Sequence, residues 1–121
     1  MRGILLAAGI VAAMATASSG ASAKPYTADG EWLMAGCGAT DSPQLVYACD
    51  LYIMGVADAL SEAHAADEHG KLFCLPSPYD EKLLSTAFLS YIMRHPDDVH
   101  RPAGLLAIRT LQEAFPCGGR R

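Results

Sequence analysis

Basic charge is scarce in this chain. Nine Lys and Arg stand against 13 Asp and Glu, a net charge of −4. An acidic surface disfavours nucleic acid and anionic lipid as partners, because both repel it. Zinc templates such as His-Glu-x-x-His are missing, and so is the Gly-x-Ser-x-Gly elbow of serine hydrolases. Cys-x-x-Cys is absent, which removes thioredoxin-type redox chemistry and c-type haem attachment. The four histidines, His64, His69, His95 and His100, fall in pairs five apart, whereas ligation from one helix face prefers three or four. Asp58 and Glu62 share a helix face, but such a pair usually belongs to a solvated surface. No catalytic residue, cofactor or metal ligand is therefore expected. Strand-like alternation, internal repeats and low-complexity tracts are also lacking after the first two dozen residues.

The N-terminus carries an export signal. Arg2 is the positive end, Gly3 to Ala15 is an uncharged apolar run, and Ala21-Ser22-Ala23 is a small-x-small cleavage site. Residues 1–23 are expected to be removed, leaving a single domain over 24–121. The second half of the uncharged stretch is too rich in Thr, Ser and Gly to favour a membrane anchor. No cysteine stands at the cleavage point and no Arg-Arg pair precedes the apolar run, so neither lipidation nor twin-arginine export is indicated.

All four cysteines, Cys37, Cys49, Cys74 and Cys117, lie beyond that signal. An even set in an exported chain reads as a disulfide framework, which a small domain needs to supplement a limited core.

Helical spacing dominates the rest. Asp29 caps a short helix through Trp32, Leu33 and Met34 that ends near Gly36 and Gly38. Asp41-Ser42-Pro43-Gln44 reads as the start of a long helix to about Ala65, with Asp41 as its cap. Its buried stripe is Leu45, Cys49, Tyr52, Ile53, Val56 and Leu60, with Asp50 off that stripe. Gly55 and Ala59 suggest close approach by another helix. Ser77 caps a third helix with Pro78 in its first position. That helix buries Leu83, Leu84, Ala87, Phe88, Tyr91 and Ile92, and His95-Pro96 stops it. A fourth starts near Pro102, buries Leu105, Leu106, Ile108, Leu111 and Phe115, and ends at Pro116. The fold class is all-α: a small four-helix domain stapled by two disulfides. Four cysteines allow three pairings. Helix ends favour Cys37–Cys49 at the first corner and Cys74–Cys117 across the outer ends of an antiparallel third and fourth helix.

Several segments in order resemble a known family. They are Cys49 to Leu60, then Phe73-Cys74-Leu75-Pro76, then Tyr91 to Pro96, then His100 to Ala103, and finally Ala114-Phe115-Pro116-Cys117. The set resembles the Rap/Tai family of type VI secretion amidase-immunity proteins. One detail departs: the family usually has its basic residue and histidine near His100 and Arg101 in the reverse order. The resemblance implies a periplasmic binding protein, often a homodimer. Its partner would be a peptidoglycan amidase effector, whose cleft it occludes without chemistry of its own.

Recognition of one effector fits loops held on a rigid bundle. The polar loop from His64 to Lys71 offers Asp67 and Glu68. The turn from Arg94 to Arg101 offers Arg94, His95, Asp97, Asp98, His100 and Arg101. A small periplasmic acid-stress chaperone, or another helical envelope binding protein, shares the size, compartment and disulfides and is the rival reading.

Overall fold

A computed structural model describes residues 28–64, 70–80 and 82–118. The expected signal over 1–23 lies outside the described residues, as do Asp67 and Glu68. Four α-helices are described: α1 (Gly30–Cys37), α2 (Pro43–Ala63), α3 (Leu83–Arg94) and α4 (Ala103–Ala114). A 3-10 turn, Pro96–Asp98, joins α3 to α4. No strand occurs among the described residues; one isolated bridge pairs Asp29 with Pro102.

The helices close around Leu33, Ile53, Leu84, Phe88, Leu106 and Leu111, all fully buried. Burying side chains of this size is the main favourable term in folding, about 1.5–3 kcal/mol each. Both disulfides join the expected cysteines, with Cα separations of 5.1 Å for Cys37–Cys49 and 4.9 Å for Cys74–Cys117. The second bridge is reinforced beside it, where the Cys74 N–H donates to the Phe115 carbonyl at 2.7 Å.

Asp29 caps α1 as its position predicts: its Oδ1 accepts from the Trp32 N–H at 2.9 Å. Gly30 follows because nothing larger fits. A Cβ there would stand 2.4 Å from the Val99 carbonyl oxygen and 2.6 Å from a Leu106 methyl. That closeness lets the Gly30 N–H donate to the Arg101 carbonyl at 3.0 Å, while the Ala103 N–H donates to Ala28 at 2.9 Å. The start of α1 is thus sewn to the chain entering α4.

Several expectations need correction. The cap of α2 is Ser42, not Asp41, and it makes no side-chain capping bond. Backbone bonds across the preceding turn, such as Ser42 N–H to the Ala39 carbonyl, set that start instead. Leu45, expected inside, is 51% exposed, and Asp50, expected off the buried stripe, is only 7% exposed. The buried face of α2 centres on Cys49, Asp50, Ile53 and Ala57. A Cβ at Gly55 would meet nothing within 4 Å, so none of the described helices packs against it.

The start of α3 moves from Ser77 to Leu83 for the same reason that Asp50 is buried. Asp80 holds the preceding turn, its Oδ1 accepting from the Lys82 N–H at 2.8 Å and its carbonyl from the Leu83 N–H at 3.0 Å. Lys82, the cap position, gives no side-chain bond. The Ser85 N–H donates instead to Asp50 Oδ1 on α2 at 2.6 Å. A carboxylate from another helix therefore performs the capping that α3 cannot do for itself, at the end where the helix dipole favours negative charge. On α4, Leu105 and Ile108 are only half-buried; Ala103, Ala107 and Thr110 fill the inner face with Leu106 and Leu111.

Candidate partner-binding corner

The turn between α3 and α4 carries six of the eight residues that the sequence offers as partner contacts. Pro96 cannot continue α3, and the helix ends at Arg94. The chain then turns tightly: Asp98 N–H donates to His95 at 3.0 Å, and Arg101 N–H to Asp98 at 2.8 Å.

Asp98 is the hub. Its Oδ2 accepts from the Tyr91 hydroxyl at 2.7 Å and from Arg109 Nη1 at 3.0 Å. Its Oδ1 accepts from Arg101 Nε at 2.7 Å. Three elements thus converge on one carboxylate that is 16% exposed. The Tyr91 hydrogen bond, joined by Arg101 and Arg109, outweighs burial and holds the Asp98 carboxyl below its ordinary value. Burial, followed by the Asp98 bond, pushes the Tyr91 phenol up. The Arg109 guanidinium is pushed further up, mainly by its bond with Tyr91 and by Asp98, so it stays charged.

A second cluster lies beside it. Arg94 Nε and Nη2 reach Glu113 Oε1 at 2.8 and 2.6 Å, and His95 Nε2 meets Glu113 Oε2 at 2.8 Å. Burial raises the Glu113 carboxyl, but the bonds from Arg94 and His95 prevail and leave it below its ordinary value. The His95 ring also lies against Tyr91, centroids 4.4 Å apart.

The six candidates therefore divide. Arg94, His95, Asp98 and Arg101 spend their side chains on the scaffold. Asp97 is exposed and makes no side-chain bond to the described residues. His100 is exposed, and its one ion pair among the described residues is a loose one to Glu31 of α1, at 3.5 Å. Met93, which the sequence reading passed over, is 81% exposed at the end of α3. It is an apolar residue off the buried stripe, and that was its signal. The corner thus presents Met93, Pro96, Asp97 and His100 on a turn fixed from α1, α3 and α4.

The family model of Rap1a immunity proteins matches residues 29–117, which include the whole corner and all four cysteines. This agrees with the family that the ordered segments suggest. No curated protein and no solved structure matches the chain.

Proposed function

Because this chain belongs to the family of Rap1a immunity proteins, we propose that it is a periplasmic antidote to a type VI secreted peptidoglycan amidase. It acts by binding alone, the corner blocking the enzyme's cleft. The observation that carries this reading is the division of the corner. A turn fixed by Asp98 and Glu113 holds Met93, Asp97 and His100 out to solvent, and a pre-set turn loses little entropy on binding. The polar loop bearing Asp67 and Glu68 belongs to the same proposal as a second contact. So does a homodimer, which sedimentation would read as twice the monomer mass.

The test is calorimetric binding to a purified amidase encoded beside this gene, with peptidoglycan hydrolysis as the second readout. Wild-type protein is expected to bind stoichiometrically and stop hydrolysis. Asp97→Lys and Met93→Glu should each weaken binding at least tenfold while leaving thermal unfolding unchanged. Wild-type binding by both variants would place the contact elsewhere. No binding to the amidase by the wild type would overturn the function.

A further inference from the structure

A groove of about 220 Å³ runs between α1 and the first half of α2. Trp32, Ala35 and Gly36 line it from α1, and Leu45 and Ala48 line it from α2. Its mouth is apolar and open: Trp32 is 46% exposed and Leu45 51%. Two half-exposed apolar side chains on facing helices, at the rim of one groove, make a surface suited to docking.

Three features say what fits. The first is size. A cavity of roughly 150 Å³ accommodates benzene, so this one takes a single aromatic or long aliphatic side chain. The second is rigidity. The Cys37–Cys49 bridge ties the two walls together at a Cα separation of 5.1 Å. A groove whose walls cannot part is formed before its occupant arrives. Gly36 keeps the junction low: a Cβ there would lie 3.6 Å from the Leu45 carbonyl oxygen and 3.9 Å from the Cys49 Cβ.

The third is charge. The loop joining the walls carries Asp41, exposed and without a side-chain bond to the described residues. Glu31 precedes Ala35 by one turn of α1, and neither α1 nor α2 contains a Lys or Arg. A second copy of the same groove would bring acid against acid. A cationic segment would find opposite charge around an apolar pocket.

We propose that this groove is a socket for one bulky apolar side chain of a protein segment flanked by Lys or Arg. The socket stands whether or not the corner is the effector site, since its residues and chemistry are separate.

The probe is an end-capped peptide, Lys-Arg-Trp-Arg-Lys, titrated into ¹⁵N-labelled protein with both disulfides formed. Expected are saturable shifts centred on the amides of Ala35, Gly36, Leu45 and Ala48. The acidic analogue Glu-Glu-Trp-Glu-Glu and the Trp-less Lys-Arg-Ser-Arg-Lys should each bind at least tenfold more weakly. Ala48→Leu fills the groove from an exposed helical position and should weaken the Trp peptide at least tenfold with unchanged thermal unfolding. Gly36→Ala, which raises the floor, should weaken it too. The socket is overturned by no saturation at millimolar peptide, by equal binding of the acidic and basic peptides, or by full binding in both variants. Self-association that shifts the same amides and vanishes in Ala48→Leu would overturn the cationic partner in favour of a second copy.

Discussion

Asp50→Ala should destabilise the fold measurably while leaving both disulfides intact. Asp50 sits almost wholly buried on α2 and takes the Ser85 N–H at 2.6 Å, with the Ser85 hydroxyl at a weaker 3.4 Å. Ser85 is itself buried and lies in the first turn of α3, where N–H groups have no intrahelical acceptor. Removing the carboxylate leaves that donor unsatisfied. An orphaned buried donor costs about 1–3 kcal/mol, and a lost helix cap typically costs about 1 kcal/mol. These overlap, so about 2 kcal/mol is expected, or roughly 10 °C in Tm for a domain of this size.

The controls separate causes. Asp50→Asn keeps an oxygen facing the Ser85 N–H and should lose at most about 1 kcal/mol. Ser85→Ala deletes only a hydroxyl that also donates to the Lys82 carbonyl at 3.1 Å, and should fall in the same range. Urea unfolding followed by circular dichroism, without reductant, measures all three. A loss below about 0.5 kcal/mol for Asp50→Ala would refute the capping argument, since surface substitutions already reach that size. Equal losses for Ala and Asn would assign the effect to charge rather than to the acceptor.

Gly30→Ala should cost about 1–3 kcal/mol by overpacking, because the new methyl stands 2.4 Å from the Val99 carbonyl; amide exchange at Val99 to Arg101 should accelerate in the same variant. The bridges should differ in worth. Chain entropy gives about 4 kcal/mol for Cys74–Cys117 and about 3 kcal/mol for Cys37–Cys49, for separations of 43 and 12 residues, so the paired Cys→Ser variant at 74 and 117 should melt lower. Acid should loosen the corner. Asp98 and Glu113 have folded values below their ordinary 3.8 and 4.5. Their stabilisation is complete above those ordinary values and is lost as pH falls through the lower folded ones. Tm should therefore hold from pH 7 to 5 and drop below about pH 4, and Asp98→Asn with Glu113→Gln should flatten that drop. Thr110→Val should raise stability by about 1 kcal/mol, because the fully buried Thr110 hydroxyl has no partner among the described residues.

What could be read in the sequence was what neighbouring residues decide among themselves. Asp29 capping α1 needs only the three residues after it. The disulfide pairing followed from where helices begin and end, since antiparallel α3 and α4 must bring Cys74 and Cys117 to one end. Asp50 escaped because its partner lies 35 positions away; on a helical wheel it is simply a charge. The start of α3 escaped for the same reason, since Ser77-Pro78 carries every local mark of a cap, and the acceptor that decides the matter comes from α2. Leu45 was misplaced because periodicity shows which face is apolar but not where along a long helix the packing stops. Glu113 was never a candidate, although two of the candidates bond to it.

The corner shows why residue type alone overstated the binding set. Six polar residues in eight positions look like an interaction surface, yet four of them spend their side chains on bonds within the bundle. An ion pair already made offers a partner little. A new contact to Asp98 must first displace Tyr91, Arg101 or Arg109, and breaking such a cluster exposes charge that the fold has desolvated. Asp97 carries no such cost. A variant at Asp98 that fails to bind therefore reports a disordered turn, whereas one at Asp97 reports a lost contact. The two are told apart by amide exchange at Val99 to Arg101, which Asp98→Ala should accelerate and Asp97→Ala should leave unchanged.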